Sequence, residues 1–228
     1  MEQRFFLLTL LCTTYAAQQD LSEKLFAFPL DKGTSNVKLI ASVEQPITAL
    51  TLCMRFFSSV TRGQSLFSLA VPSNDNAFLL YKPQVGVYRL HVKEMSLDIH
   101  GLPDVTDEWN SVCWTWDSSS GFTTLWVNGK RSPRKILKPK TSLTGAPSII
   151  LGQEQDSYGG GFDQNQSFVG DITDVHLWNS IIAPCEIRSF MDGSAFLPGN
   201  VLNWKNLQYS ITDSVYVENS DFDKLICY

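Results

Sequence analysis

The stretch "SVCWTWDSSSGFTTLWVNG" (residues 111–129) decides the fold class of this chain. Two runs rich in β-branched and aromatic residues are separated by "DSSSG", a composition typical of a turn. Asn128-Gly129, which follows the second run, is the strongest short-range signal for a β-hairpin. The stretch therefore predicts consecutive antiparallel strands joined by tight turns.

The same alternation of short strands and turns extends over most of the chain. Residues 183–193 are predicted to form a helix, because Pro184 lies near the first turn and Gly193 can end it. Many short strands with one helix predict an all-β fold, a two-sheet jelly-roll sandwich with one short α-helix. The further predicted strands are residues 51–57, 65–71, 77–82, 87–92, 148–152, 167–178 and 214–219.

Composition and the N-terminus indicate the number of domains and the compartment. Of 228 residues, 43% are hydrophobic and 12% aromatic, which is enough for the core of one domain. In residues 1–17, Arg4 precedes a short apolar run and small residues follow, which is the order of a secretory signal peptide. The run is too short to span a bilayer. We expect a secreted, extracellular protein with a signal peptide at 1–17, a single domain at 18–228 and no integral membrane segment.

The charge pattern limits the classes of partner. The formal net charge of −5 argues against general nucleic-acid binding. Residues 130–140, here called the basic segment, nevertheless hold six Lys and Arg residues. This segment is either a solvated strand pair or a docking surface for polyanions such as heparin or DNA.

Residues 151–166, "LGQEQDSYGGGFDQNQ", form what is here called the acidic loop. It contains Glu154, Asp156 and Asp163 with no Lys or Arg to neutralise them. Calcium takes six to eight oxygen ligands from carboxylates, amide side chains and backbone carbonyls, and Gly159–Gly161 allow the positive φ angles that would fold the loop around an ion. A second oxygen-rich turn at residues 73–77 offers more ligands. The composition leaves two interpretations open, a solvated acidic loop and a calcium site.

Catalytic interpretations have less support. Jelly-roll glycosidases often carry Glu-x-Asp-x-Glu, and Glu154-Gln155-Asp156 supplies the first half, but Tyr158 occupies the third position. Neither a G-x-S-x-G elbow nor a phosphate-binding G-x-x-x-x-G-K-[ST] occurs. We expect a protein that is not an enzyme. The alternatives are a carbohydrate-active jelly-roll enzyme and a structural assembly protein without a ligand.

The cysteines indicate cross-links. One of the five, Cys12, lies inside the predicted signal peptide, which leaves four in an oxidising compartment. An even number favours two disulfides, and four cysteines allow three connectivities that this reasoning leaves open.

Two segments resemble the short pentraxin family. "SVCWTWDSSSG" (111–121) is similar to the signature H-x-C-x-[ST]-W-x-[ST], with Ser111 in place of the first His. Residues 151–172 resemble the calcium loop of the family almost residue for residue. The similarity extends to essentially the whole chain after the signal peptide, including residues 19–29, 51–57, 74–82 and 201–209.

The resemblance implies a jelly-roll sandwich of the concanavalin A/laminin G type in a cyclic homopentamer. It also implies two calcium ions per subunit on one face and the helix on the other. Tyr81 would form an apolar wall beside the ions, and His91 the opposite side of the ligand pocket. The ligands of the first ion would be Asp75, Asn76, Glu154, the Gln155 carbonyl and Asp156. Those of the second would be Glu154, Asp156, Asp163 and Gln166.

In function, the resemblance implies a calcium-dependent pattern-recognition lectin of innate immunity and the acute phase. Calcium would bind phosphocholine, phosphoethanolamine or acidic glycans on microbes and damaged cells. Five sites on one face would give avidity, and the other face would recruit complement components or phagocyte receptors.

The resemblance also bears on two covalent features. It pairs Cys53 with Cys113, and we predict a second intrachain bridge between Cys185 and Cys227, with an intersubunit bridge as the alternative. Asn165-Gln166-Ser167 is an N-glycosylation sequon that crosses the predicted calcium ligand Gln166. A glycan there is expected to count against high-affinity calcium binding.

Overall fold

Two antiparallel β-sheets and one α-helix make up the computed structural model, which describes residues 17–139 and 142–220. The helix, α1, is Pro184–Met191, and single turns of 3₁₀ helix lie at Gln164–Gln166 and Trp204–Asn206. The strands of the eight-stranded sheet are β1 (Lys24–Phe28), β3 (Ala49–Phe57), β8 (Trp109–Asp117), β9 (Phe122–Val127), β10 (Lys130–Arg131), β11 (Lys135–Ile136), β13 (Gly170–Trp178) and β15 (Tyr216–Asn219). Those of the seven-stranded sheet are β2 (Asn36–Ile40), β4 (Gln64–Val71), β5 (Asn74–Gln84), β6 (Val87–Val92), β7 (Met95–His100), β12 (Ser148–Leu151) and β14 (Gln208–Thr212).

The strand order shows that the chain passes repeatedly between the two sheets. The eight-stranded sheet runs β10-β9-β8-β3-β13-β1-β15, with β11 also paired to β9, and the seven-stranded sheet runs β14-β2-β12-β4-β5-β6-β7. Hairpin neighbours such as β8-β9 and β5-β6 are consecutive in sequence, whereas the other neighbouring strands in each sheet are not. This is the predicted two-sheet jelly-roll sandwich.

The main core lies between the sheets. In β3, Leu52, Met54 and Phe56 point into this core, as their alternation predicts. Phe78 of β5 stacks on Trp114 of β8, with ring centroids 3.6 Å apart, and joins the two sheets. Full burial of each such side chain contributes about 1.5–3 kcal/mol.

Helix α1 covers the outer face of the eight-stranded sheet. Ile187 and Phe190 are buried there against Trp126 and Trp178. The helix begins with Pro184, and Gly193 after its end has φ of 68°. Residues 183–193 were therefore correctly predicted as the helical segment.

The disulfide Cys53–Cys113 lies beneath this helix and confirms the predicted pairing. The two residues are directly opposite each other on β3 and β8, with Cα atoms 4.1 Å apart. Cys185 is exposed on α1, while Cys227 lies outside the described residues. The second bridge remains a prediction.

Two further predictions concern the turns and the membrane. Asn128 and Gly129 have φ of 46° and 78°, the positive values of a tight hairpin turn, and they join β9 to β10. No helix within residues 17–139 and 142–220 is long and apolar enough to cross a membrane. Residues 1–16 lie outside the described ranges, so the signal peptide remains a prediction.

Candidate metal and ligand site

The acidic loop leaves β12 in the seven-stranded sheet, and the chain continues from it to β13 in the other sheet. Gln155 fixes its middle. The side-chain amide of Gln155 donates to the carbonyl oxygens of Ser68 and Ser148, both at 3.1 Å, and its Oε1 accepts from the backbone N–H of Gly159 at 2.9 Å. Because this fully buried side chain is committed to the fold, a cation ligand from Gln155 would be its backbone carbonyl, as the resemblance implies.

Two of the three consecutive glycines in the acidic loop have the positive φ angles that glycine adopts readily. Gly159 and Gly161 have φ of 83° and 75°, but Gly160 has no positive φ, so the expectation for all three was wrong at the middle position. Ser157 and Gly160 exchange two backbone hydrogen bonds of 3.1 and 2.9 Å. The resulting tight turn exposes Tyr158, whose hydroxyl donates to the carbonyl of Ala146 at 3.0 Å.

Glu154 is the centre of a carboxylate cluster. Its side chain is only 8% exposed. Burial raises the pKa of Glu154, and the neighbouring Asp156, Asp75 and Asp163 raise it further, while a hydrogen bond with Asn76 lowers it. The structure thus brings Asp75 and Asn76 from β5 together with the acidic loop. Four carboxylates share one electrostatic environment in which the charged form of Glu154 is disfavoured.

Two amide oxygens in the predicted ligand set have unmet hydrogen-bonding capacity. Asn76 Oδ1 and Gln166 Oε1 are buried without a hydrogen-bond partner in the described part of the chain. Leaving a buried acceptor unpaired costs about 1–3 kcal/mol. Among residues 17–139 and 142–220, no three His, Cys, Asp or Glu side chains form a metal site by themselves. The candidate site depends on amide and carbonyl oxygens as well as carboxylates, and this hard-oxygen set fits calcium.

Asp163 and Gln166 are positioned by the 3₁₀ turn. The carboxylate of Asp163 accepts the backbone N–H of Asn165 at 2.9 Å and so caps the N-terminus of the turn. Gln166, at the other end of the turn, donates its backbone N–H to the carbonyl of Asp163 at 2.9 Å. The turn therefore holds both predicted ligands in a fixed relation.

Tyr81 and His91 lie on the outer face of the seven-stranded sheet. Tyr81 of β5 is directly opposite Arg89 of β6, and His91 follows on the same side of the strand. Burial raises the pKa of Tyr81, and the carboxylate of Glu154 raises it further, so the Tyr81 hydroxyl lies within electrostatic range of the carboxylate cluster. Burial lowers the pKa of His91, and Arg89 lowers it further. Both predicted pocket residues therefore lie on the face that carries the acidic loop.

Sequence reasoning missed the cations around the site. Arg89 donates to both carboxylate oxygens of Asp98 at 2.7 and 2.9 Å. Arg62 donates to the carbonyl of Ser167 at 2.7 Å and forms an ion pair of 2.9 Å with Asp31. Arg89 could have been found from its alternation with His91 in "VYRLHV". No local signal indicates Arg62, because Asp31 and Ser167, the partners that connect it to the site, are distant in sequence.

The described part of the basic segment, residues 130–139, lies at the edge of the eight-stranded sheet. Its arginines pack over aromatic rings, Arg131 over Trp126 at 5.7 Å and Arg134 over Phe122 at 4.9 Å. Lys138 donates to the carbonyl of Ser119 at 2.7 Å. Neither interpretation of this segment is decided by these contacts, and polyanion binding stays a prediction.

Comparisons with known proteins agree with the fold. The pentaxin family model matches residues 24–219. Serum amyloid P-component of Rattus norvegicus is 43% identical over 207 residues, covering 91% of this chain and 90% of the relative. C-reactive protein of Sus scrofa is 43% identical over 202 residues, covering 89% and 90%. The native heptameric SAP-like pentraxin from Limulus polyphemus matches with a TM-score of 0.77 at 22% identity, over 88% of this chain and 97% of the other, which supports the fold alone. The chain therefore belongs to the pentaxin, or pentraxin, family, and it is a binding protein rather than an enzyme.

Proposed function

We propose that this protein is a secreted, calcium-dependent pattern-recognition lectin that binds phosphate- or carboxylate-bearing groups on microbes and damaged cells. The observation that carries the proposal is the cluster of three Asp carboxylates around buried Glu154, together with the buried oxygens of Asn76 and Gln166, which have no hydrogen-bond partner within residues 17–139 and 142–220. Calcium, when bound, would neutralise the carboxylates and coordinate oxygens of the ligand directly.

Two ions per subunit are proposed, and two carboxylates would be shared between them. Glu154 and Asp156 are suited to bridging, because clustered like charges are stabilised when a cation lies between them. The first ion would be held by Asp75, Asn76, Glu154, the Gln155 carbonyl and Asp156. The second would be held by Glu154, Asp156, Asp163 and Gln166.

The ligand pocket would extend from the ions across the outer face of the seven-stranded sheet. The ring of Tyr81 offers a half-buried apolar wall, whose face can also attract a quaternary ammonium. Arg89, directly opposite Tyr81, is already paired with Asp98 and is therefore not a free cation for the ligand. The anionic group coordinated through calcium would therefore decide binding, which fits phosphocholine, phosphoethanolamine and acidic glycans as ligands.

The two faces of the sandwich would have different functions, ligand binding on one and contact with effector proteins on the other. The acidic loop lies on the outer side of the seven-stranded sheet, and α1 lies on the outer side of the eight-stranded sheet. In a homopentamer, five sites on one face would bind a repetitive surface with avidity that exceeds the affinity of one site. The helix-bearing face would remain accessible to complement components and phagocyte receptors.

The test is retention of the purified mature protein on phosphocholine, phosphoethanolamine and plain agarose, with calcium and then with EDTA. We expect calcium-dependent retention that is lost in the Glu154→Gln, Asp156→Asn double variant. A matched control, Glu44→Gln with Asp107→Asn, removes two exposed carboxylates elsewhere and should be retained. A folded oligomer that no bead retains would contradict the lectin proposal and favour the structural assembly protein.

Native mass spectrometry of the same preparation tests the homopentamer, and a nonreducing gel tests the cysteines. We expect a pentamer that separates into monomers on the denaturing gel without reductant. Covalent dimers would instead assign Cys185 to an intersubunit bridge.

A further inference from the structure

The sequon Asn165-Gln166-Ser167 lies on the 3₁₀ turn of the acidic loop, and it is the one N-x-[ST] sequon in the sequence. Its three side chains have different environments. Asn165 is exposed and Ser167 is fully buried, while Gln166 is half-buried and its enclosed Oε1 has no hydrogen-bond partner among the residues that the structure describes. The potential glycan acceptor and the potential calcium ligand therefore point in different directions from adjacent positions.

Hydrogen bonds hold the Ser167 hydroxyl in place. Ser167 Oγ donates to the carboxylate of Asp31 at 2.8 Å and accepts from Arg62 at 3.2 Å. N-glycan transfer depends on the sequon hydroxyl, and in the folded loop this group is enclosed and engaged. Transfer to Asn165 would consequently have to precede folding of the loop.

The Asn165 side chain is compatible with a glycan after folding. Its Nδ2 donates to Asp163 Oδ1 at 2.9 Å, and its backbone N–H donates to the same oxygen at 2.9 Å. A glycosylated Nδ2 keeps one N–H, so the contact with Asp163 can persist. The backbone capping bond does not involve the side chain at all.

We propose that Asn165 is N-glycosylated in the secretory pathway before the acidic loop folds, and that the glycan stands at the rim of the candidate calcium site. In the transfer, Asn165 Nδ2 loses a proton and bonds to the anomeric carbon of a lipid-linked oligosaccharide, whose lipid diphosphate leaves. The glycan leaves Gln166 free to face the site. This differs from the expectation that a glycan weakens calcium binding, and that part of the inference rests on the proposed function.

The first experiment measures the modification itself. The mature chain, joined at Gln18 to a heterologous secretion leader, is expressed in mammalian cells, and its mass is compared before and after peptide N-glycosidase in heavy-oxygen water. We expect one enzyme-sensitive glycan, a heavy-oxygen aspartate at position 165, and complete loss of both in Asn165→Gln. A secreted wild-type protein whose Asn165 is unmodified would overturn the proposal.

A second experiment tests the order of transfer and folding. Folded, unglycosylated protein from bacteria and a synthetic peptide of residues 160–170 are each incubated with endoplasmic-reticulum membranes. The peptide should be modified and the folded protein should not. Equal modification of both would refute the requirement for an unfolded loop.

The calcium part has its own readout. The thermal shift produced by calcium is compared between the glycosylated protein and Asn165→Gln, and we expect equal shifts. A smaller shift in the glycosylated protein would restore the original expectation. A glycosylated protein that the phosphocholine and phosphoethanolamine beads do not retain would refute only the proposed function. A protein that the beads retain but that carries no glycan would refute only the proposed modification.

Discussion

His176 is expected to lower the free energy of unfolding as the pH falls from 7 to 5. It lies on β13 beside a cavity of about 440 Å³ next to α1, which is also lined by Arg55, Asp174 and Lys205. His176 is only 2% exposed, and its Nδ1 accepts a hydrogen bond from the backbone N–H of Gly199 at 3.2 Å. Protonation would break that bond and bury a charge.

The pKa of His176 determines the sign and size of the effect. Burial, assisted by Lys205 and Arg55, lowers its pKa from 6.5 to about 3. Because the folded state disfavours the charged form, the stabilisation is complete above the unfolded pKa and is lost as the pH falls from about 6.5 toward 3. At 1.36 kcal/mol per pH unit, the free energy of unfolding should fall by about 2 kcal/mol between pH 7 and pH 5.

Urea denaturation at pH 7, 6 and 5 in EDTA, followed by tryptophan fluorescence, measures this change. In His176→Asn, the side-chain oxygen can replace Nδ1 as the acceptor for Gly199, but the titrating group is absent. We expect the variant to lose about 1 kcal/mol per pH unit of the wild-type slope, while His100→Asn, at an exposed position, keeps it. Contributions from His91 and Glu154 are common to all three proteins and cancel in the difference. Equal slopes in wild type and His176→Asn would refute the reasoning.

Three further predictions concern the loop and the basic segment. In EDTA, Glu154→Gln should raise the free energy of unfolding by about 1 kcal/mol, because it removes a buried carboxylate that faces like charges. The same variant should abolish stabilisation by calcium in calorimetry, and a normal calcium response would contradict this. Gly152→Ala places a Cβ 2.3 Å from Phe28 Cε1 at φ of 86° and should cost about 2–5 kcal/mol. Gly86→Ala has φ of 78° but its added Cβ has no described atom within 4 Å, so it should cost only about 1–2 kcal/mol. Equal losses for the two variants in urea denaturation would refute the steric argument. Charge reversal in the basic segment should weaken heparin retention at low salt, and unchanged retention would leave only a solvated strand pair. The residues to reverse are Arg134, Lys135 and Lys138.

Alternation of apolar and polar residues along the sequence was enough to predict several of the strands. Residues 87–92 were predicted with the same limits as β6 because they alternate, and in the structure the strand follows Gly86, which has φ of 78°. The strand predicted at 167–178 begins instead at Gly170, since Ser167 is bound by Arg62 and Asp31 and does not join the sheet. The partly exposed edge strand β7 was not predicted, although "MSLDIH" alternates. Strands β1, β2 and β14 were also missed.

The site required more than local pattern. Composition identified Glu154 and Asp156 as possible ligands, but the convergence of Asp75 and Asn76 with them depends on the order β12-β4-β5 in the sheet. In the sequence, only the resemblance to the family indicated that these four residues come together. The hydrogen bonds of Gln155 could not be foreseen either, because Ser68 lies 87 residues away.

The anchors of the acidic loop explain how its carboxylates can remain available for a cation. At the start, Gly152 packs so closely on Phe28 that no side chain fits. In the middle, Gln155 is bound to the sheet through its amide, and at the end Arg62 holds the carbonyl of Ser167. None of these three anchors uses Glu154 or Asp156. The loop is therefore fixed by apolar, amide and guanidinium contacts on a rigid sheet, and the proposed calcium site would not need the ion in order to fold. Hydrogen exchange in EDTA should accordingly show protection of the Gly159 amide, which donates to Gln155, and rapid exchange there would argue that calcium organises the loop.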